Sequence, residues 1–143
     1  MENAWSLLRD LRNAVHWVPG LERVELTSEA REGVGASRRV FTKRGPGSGG
    51  MDETVVEWTE GQGFAIRLHR GDGGPPAPMR EGRFVYAVFP DGEGSRIDTE
   101  MAYSMQWGAL GRALDALVVR RVSRSMAQQV AENVARRAEA ASR

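Results

Sequence analysis

Apolar residues change their spacing once along this chain, and the change divides it in two. From about Trp107 to Arg143 they recur in steps of three and four, at Leu110, Leu114, Leu117, Val118, Val122, Met126, Val130 and Val134. That spacing lays them on one stripe of an α-helix, opposite Arg112, Asp115, Arg120, Arg124, Gln128, Glu132 and Arg136. No Pro or Gly follows Gly111, so the run predicts one continuous helix. At roughly 55 Å it is long enough for its last turns to project from a small domain. Upstream the apolar positions alternate, as strands do. The alternation predicts strands over Leu21–Ser28, Gly35–Thr42, Thr54–Thr59, Phe64–His69, Arg83–Phe89 and Arg96–Met105. In the third, Val56 and Trp58 fall on one face and Val55 and Glu57 on the other. Before the strands come two short helical pieces, Glu2–Asp10 and Arg12–His16, stopped by Pro19 and Gly20.

Hairpin-length connections between these strands make an antiparallel meander the economical topology. In a meander alternate connections share an end. The short turns near 29–33, 60–63 and 90–94 fall at one end. The long Gly/Pro-rich loops near 44–51 and 71–79 fall at the other, with the junction into the long helix. Tight turns at one end and long loops at the other is the layout of a container with a mouth, and the apolar helix stripe is suited to closing one face of the sheet.

Composition narrows the chemistry. A chain of 143 residues, 41% of them hydrophobic, fits a single domain spanning 1–143. Twenty basic against 19 acidic side chains carry no general attraction to polyanions, so no nucleic-acid partner is expected. Without Cys there is no disulfide, thiolate metal site or Cys nucleophile, and two distant His residues make no metal set. No apolar run approaches the ~20 residues of a membrane span, and a cytoplasmic protein of bacterial type is the default. No cofactor is implied. Ser37, Ser104 and His16 stand in no patterned relation that would make a nucleophilic triad. The glycines of Arg44–Gly50 lack the Gly-Lys-Ser/Thr of a phosphate loop. Arg38 and Arg39 are neighbours on a strand, so one of them must point inward. It would pair with an acid such as Glu57 or Glu100, or hold a ligand carboxylate or enolate. Arg67 and His69, opposite Phe64, Ile66 and Leu68, are expected to face solvent.

Four short motifs in order carry a resemblance. Trp5-Ser6-Leu7-Leu8-Arg9-Asp10 is similar to a W-x-x-L-x-D first helix. His16-Trp17-Val18-Pro19-Gly20 is similar to an h-W-x-P-g corner. Gly33-Val34-Gly35-Ala36-Ser37-Arg38 is similar to a G-x-G-x-x-R opening of the second strand, and Gly94-Ser95-Arg96-Ile97 to the g-T-r-l opening of the last. Together they resemble the SRPBCC/START-like (Bet v 1-like) helix-grip superfamily, in its polyketide cyclase/dehydrase-like branch. The resemblance implies an α+β helix-grip fold: an antiparallel meander of about six strands wrapped around a long C-terminal helix. The family's usual first strand is missing here. It would flank Arg96–Met105, so a partner subunit in a homodimer, a shifted terminus or an upstream start is expected to cover that edge.

The resemblance also implies where a ligand sits, between the concave sheet and the long helix. On that basis the candidate lining is Trp17, Val56, Trp58, Phe64, Ile66, Phe84, Tyr86, Met101, Tyr103, Met105, Leu110, Leu114 and Leu117. The expected ligand is a small hydrophobic or aromatic molecule, lipid- or polyketide-like. Two alternatives stand beside simple binding. One is a polyketide aromatase/cyclase or dehydratase that folds a poly-keto chain and donates to an enolate oxygen. The other is a macromolecular interaction module resembling the quinone-binding and ribosome-associated branches.

Overall fold

The computed structural model describes residues 2–43, 50–69, 79–105, 108–116 and 120–141. Helix α1 (Glu2–Arg9) is followed by a 3₁₀ turn (Leu11–His16), whose Arg12 N–H is capped by the Asp10 carboxylate. Six strands follow: β1 (Leu21–Leu26), β2 (Ser37–Thr42), β3 (Met51–Thr59), β4 (Gly63–His69), β5 (Met79–Asp91) and β6 (Gly94–Met105). They form one sheet in chain order, each antiparallel to the next, so the meander is observed with β1 and β6 at its edges. Strands β3 and β5 begin earlier than the alternation predicted, at Met51 and Met79. Two helices close the chain, α2 (Gly108–Leu114) and α3 (Arg120–Ala141).

The register lines the inner face in rows. One row reads Leu26, Arg38, Glu53, Leu68, Gly82, Tyr103 across all six strands. The next reads Val55, Ile66, Phe84, Met101, and a third Trp58, Phe64, Tyr86, Thr99. The third row is an aromatic ladder. Ring centroids lie 5.4 Å apart for Trp58–Phe64 and 4.8 Å for Phe64–Tyr86, and Trp5 of α1 meets Trp58 edge-on at 5.0 Å. Gly63 lets β4 pass close to β5 at this point: at φ +151 its backbone is in glycine's territory, and a Cβ would stand 2.1 Å from the Tyr86 carbonyl oxygen.

A β-bulge corrects one predicted face. The β3–β4 register shifts between Val55 and Glu57. The extra residue puts Val55, 1% exposed, on the inner face together with Trp58, while Val56 turns outward and Glu57 pairs with Arg83 on the outer face. Val56 therefore leaves the predicted lining, because strict alternation had carried it through a bulge.

The C-terminal stripe is corrected too. Its buried positions on α3 are Ser123, Ala127, Val130 and Val134. Val122 is 56% and Leu110 62% exposed. An i→i+5 turn at 115–116 adds a residue to the helical repeat, so one 3.6-residue pattern cannot be carried from α2 into α3. Residues 117–119, and with them Leu117 and Val118, lie outside the described residues. Val130, Val134, Leu8 and Leu11 are at most 1% exposed in a core shared by α1, the 3₁₀ turn, the inner face and α3. Burying side chains of this kind contributes roughly 1.5–3 kcal/mol each. The Thr99 hydroxyl donates to the Ala127 carbonyl at 2.5 Å, and Asn133 Nδ2 to the Trp17 carbonyl at 2.8 Å, fixing α3 on β6 and on the Trp17 corner.

Candidate ligand-binding site

Direct opposition in the register places a charged pair on the inner face. Arg38 of β2 stands across from Glu53 of β3. Arg38 is 2% exposed, its Nε donates to Glu53 Oε2 at 2.5 Å, and its Nη1 donates to the Leu11 carbonyl at 2.6 Å. The inward arginine is thus Arg38, and its acid is Glu53. The predicted partners Glu57 and Glu100 are on the outer face, since Glu57 is taken by Arg83 across the bulge and Glu100 is exposed. Arg39 turns outward to a bidentate pair with Asp52 at 2.7 and 2.9 Å. Burial alone would lower the Arg38 pKa, but Glu53 and Tyr86 beside it raise it above its ordinary value, so the guanidinium stays charged.

Tyr86 reaches the same cluster from β5. Burial pushes its pKa up to about 12, although the neighbouring Arg38 pulls the other way, so its hydroxyl is protonated at neutral pH. The Trp17 indole also lies against that hydroxyl, yet its buried Nε1 completes no hydrogen bond of ordinary geometry.

A groove of about 710 Å³ opens between β6 and α3. Ile97–Tyr103 of β6 form one wall, and Asp115, Arg120, Ser123, Arg124, Ala127, Gln128 and Ala131 the other. Its room comes from Ser123, Ala127 and Ala131, small residues where a bulky stripe would have met the sheet. At one end the Tyr103 hydroxyl donates to Asp115, which also accepts from Arg120 at 3.2 Å. Partial burial and then the Asp115 carboxylate raise the Tyr103 pKa.

The predicted lining divides. Trp17, Phe64, Ile66, Phe84 and Tyr86 are buried in one cluster, with Trp58 and Met101 packed against it. Met101 and Tyr103 line the groove. Met105 is half-buried at the end of β6, and Leu110 stands out on α2. Leu114 belongs to α2, but its side chain lies outside the described residues, as do residues 44–49 and 70–78 of the two long loops expected at the mouth. Arg67 is exposed, as expected, and His69 is half-buried with its Nε2 2.8 Å from the Thr54 hydroxyl. Glu53, Asp115, Ser123, Ala127 and Ala131 were not foreseen. Among the described residues no three His, Asp or Glu side chains gather as metal ligands, and no helix is long and apolar enough to cross a membrane.

The meander grips its C-terminal helix and leaves a groove between the two, and the family profile described as "Polyketide cyclase / dehydrase and lipid transport" matches residues 1–139. The chain belongs to that family. Its helix-grip architecture is shared by solved Bet v 1-like structures. TTHA0849 from Thermus thermophilus is 21% identical, with a TM-score of 0.69 over 99% of this chain and 91% of that one. Norcoclaurine synthase from Thalictrum flavum, in complex with dopamine and hydroxybenzaldehyde, is 15% identical, with a TM-score of 0.63 over 94% and 79%. Ara h 8.0201 is 12% identical, with a TM-score of 0.61 over 92% and 86%. At these identities the likeness is one of fold. No curated protein matches the chain.

Proposed function

We propose that this chain binds a small hydrophobic or aromatic molecule between the sheet and its C-terminal helix, as a carrier or receptor. The observation that carries the reading is the groove of about 710 Å³ along β6 and α3, a size within the range of small-molecule sites. Met101 and Tyr103 would touch the ligand, backed by Phe84, Tyr86, Phe64, Ile66, Trp58 and Trp17. Met105, Leu110, Leu114 and Leu117 would rim the mouth. Norcoclaurine synthase, of like fold, is seen with dopamine and hydroxybenzaldehyde, which is in keeping with an aromatic ligand. A second copy covering the free edge of β6 belongs to the same reading, and size-exclusion chromatography at two concentrations tests it.

A thermal-shift series with aromatic polyketide-like and fatty compounds tests the binding itself. A ligand at 100 times its Kd stabilises the fold by about 2.7 kcal/mol, well within reach of the method. Ala131→Leu, which fills the groove from α3, is expected to abolish the shift while its own melting temperature stays within a few degrees of wild type. No shift with any lipophilic compound would refute the reading.

One observation favours a second reading, a polyketide aromatase/cyclase or dehydratase. Arg38, Glu53 and Tyr86 converge on the inner face, and convergent donors and acids are what such a reaction needs. Conversion of a poly-β-keto thioester by wild type but not by Tyr86→Phe would move the assignment there.

A further inference from the structure

We propose that the outer face of the sheet, across β6 from the groove, holds a second site that takes a small organic phosphate between Arg67, Arg80 and Arg83.

A pocket of about 450 Å³ lies there, and two β-bulges shape it. The bulge in β3 turns Val56 outward into its wall, and the register shift between Met79 and Glu81 adds Arg80 as the extra residue of β5. Arg67 of β4 and Arg83 of β5 stand directly opposite each other in the register, with Ala102 of β6 next in the row. Like charges in that position repel across neighbouring strands. Arg83 has an acid, Glu57, but their ion pair is open to solvent, adds little and is easily shared. Arg67 and Arg80 are exposed and have no hydrogen-bond or ion-pair partner among the described residues. Ser104, two residues along β6 from Ala102, also lines the pocket, and its buried hydroxyl lacks a partner too. Buried hydroxyls are almost always paired, and a ligand oxygen would supply the missing acceptor.

Charge and shape decide the ligand. Three guanidinium groups against two carboxylates, Glu81 in the wall and Glu57 on Arg83, leave the pocket net positive. An anion relieves the Arg67–Arg83 repulsion, and a neutral molecule does not. Guanidinium forks hold oxyanions in bidentate geometry. Three of them offer more N–H groups than the two oxygens of a carboxylate can accept. A phosphate monoester presents three terminal oxygens and a charge of about −1.5 to −2 at neutral pH. Val56, Leu68 and Ala102 give the pocket an apolar side, which suits a phosphate carried on an organic body rather than the free ion.

The experiment is a calorimetric titration of the full chain, in low-salt buffer free of phosphate, with phenyl phosphate, inorganic phosphate and benzoate. Phenyl phosphate is expected to bind several-fold more tightly than either of the others. Arg67→Gln should weaken it about tenfold. Arg31→Gln, which removes the same charge from the exposed turn between β1 and β2, should leave it unchanged. Without ligand, Arg67→Gln should melt no lower than wild type, because the side chain is exposed and its charge repels Arg83. Ala131→Leu, which fills the groove, should bind phenyl phosphate as wild type does. Loss of binding in that variant would place the probe in the groove and overturn the second site. Equal weakening by Arg67→Gln and Arg31→Gln would mean a general attraction of charge and overturn it as well. Inorganic phosphate or benzoate binding as tightly as phenyl phosphate overturns it, and so does no binding of phenyl phosphate at all. Attachment to phosphatidic acid vesicles in place of the free ester would make this face a membrane contact and overturn it too. None of these outcomes touches the thermal shifts with lipophilic compounds, so failure here leaves the groove reading standing.

Discussion

The two ends of the inner face handle polar groups in opposite ways. Near the short turns, α1 and the aromatic ladder form an apolar wall whose two indole N–H groups are both capped by one surface carboxylate, Glu60. Glu60 stays in water with Arg9 3.1 Å away, so nothing charged is buried there. In the row nearer the long loops, an ion pair sits inside the sheet's curve at Arg38 and Glu53, and the Tyr86 hydroxyl, with the Trp17 indole against it, reaches that pair from the ladder. The first arrangement satisfies its donors at the surface and contributes stability. The second keeps charge in the interior, where desolvation works against folding. Retaining such groups is what a binding site requires and a core does not.

Breaking the ion pair should have the largest effect. Arg38→Met leaves Glu53 without its cation and the Leu11 carbonyl without its donor. Loss of one partner of a buried pair costs about 3–5 kcal/mol, read as a lower urea midpoint. Arg38→Met combined with Glu53→Leu should recover most of that loss, because two apolar residues of similar volume remove the orphaned charge. If the double variant is no more stable than the single one, the pair is a structural tie to the 3₁₀ turn, and the contrast between the two ends weakens.

Tyr86 stands in the aromatic ladder, but its hydroxyl reaches the Arg38 cluster, and it offers a pH test. Its pKa is raised from 10.0 to about 12, first by burial. The folded state therefore holds the phenolic proton more tightly than the unfolded chain does. Its contribution is complete below pH 10 and is lost as pH rises through 12, because the unfolded chain ionises first. A shift of that size corresponds to about 1–3 kcal/mol. Denaturation midpoints should fall across this alkaline window in wild type, and much less in Tyr86→Phe. Tyr103, raised in the same direction but only half-buried, should matter little. An equally steep fall in Tyr86→Phe would place the cause elsewhere.

Much of this architecture was legible in the residue pattern, and the misses have physical causes. Alternation found six strands and their meander because each strand has one buried face. It placed Val56 wrongly because two consecutive apolar residues, Val55 and Val56, conceal a bulge. It knew that Arg38 or Arg39 must point inward but named the wrong acid, since the register opposite Arg38 depends on a loop whose length says nothing about pairing. Helical periodicity found the C-terminal helix but misassigned Leu110, which precedes the i→i+5 turn that shifts the repeat, and Val122, because successive four-residue steps back from Val134 drift about 40° each around a 3.6-residue helix. A site between sheet and helix was expected, but the residues that open the groove were not. It is made by Ser123, Ala127 and Ala131, which carry little or no hydrophobic signal, and room for a ligand is written in the volume that side chains leave empty.

The smallest effect is expected at the apolar end, and it sharpens the contrast most directly. The Glu60 carboxyl is held below its ordinary 4.5 by the hydrogen bonds from Trp5 and Trp58, with Arg9 adding to them. A depressed carboxylate stabilises the fold above the unfolded value, and the contribution fades as pH falls through the folded one. Glu60 is fully exposed, so the loss should show only as a shallow slope in melting temperature below pH 4.5. In Glu60→Gln that slope should flatten. Because the ionised cap holds two indoles, acid should also shift the tryptophan emission of wild type in the same window, and less so in Glu60→Gln. Trp17, which no carboxylate caps, should not respond, so Trp17→Phe should keep the full acid-induced change. If Trp17→Phe instead removes it, the indoles at the two ends share one titrating neighbour, and the division between a capped wall and an uncapped site is wrong.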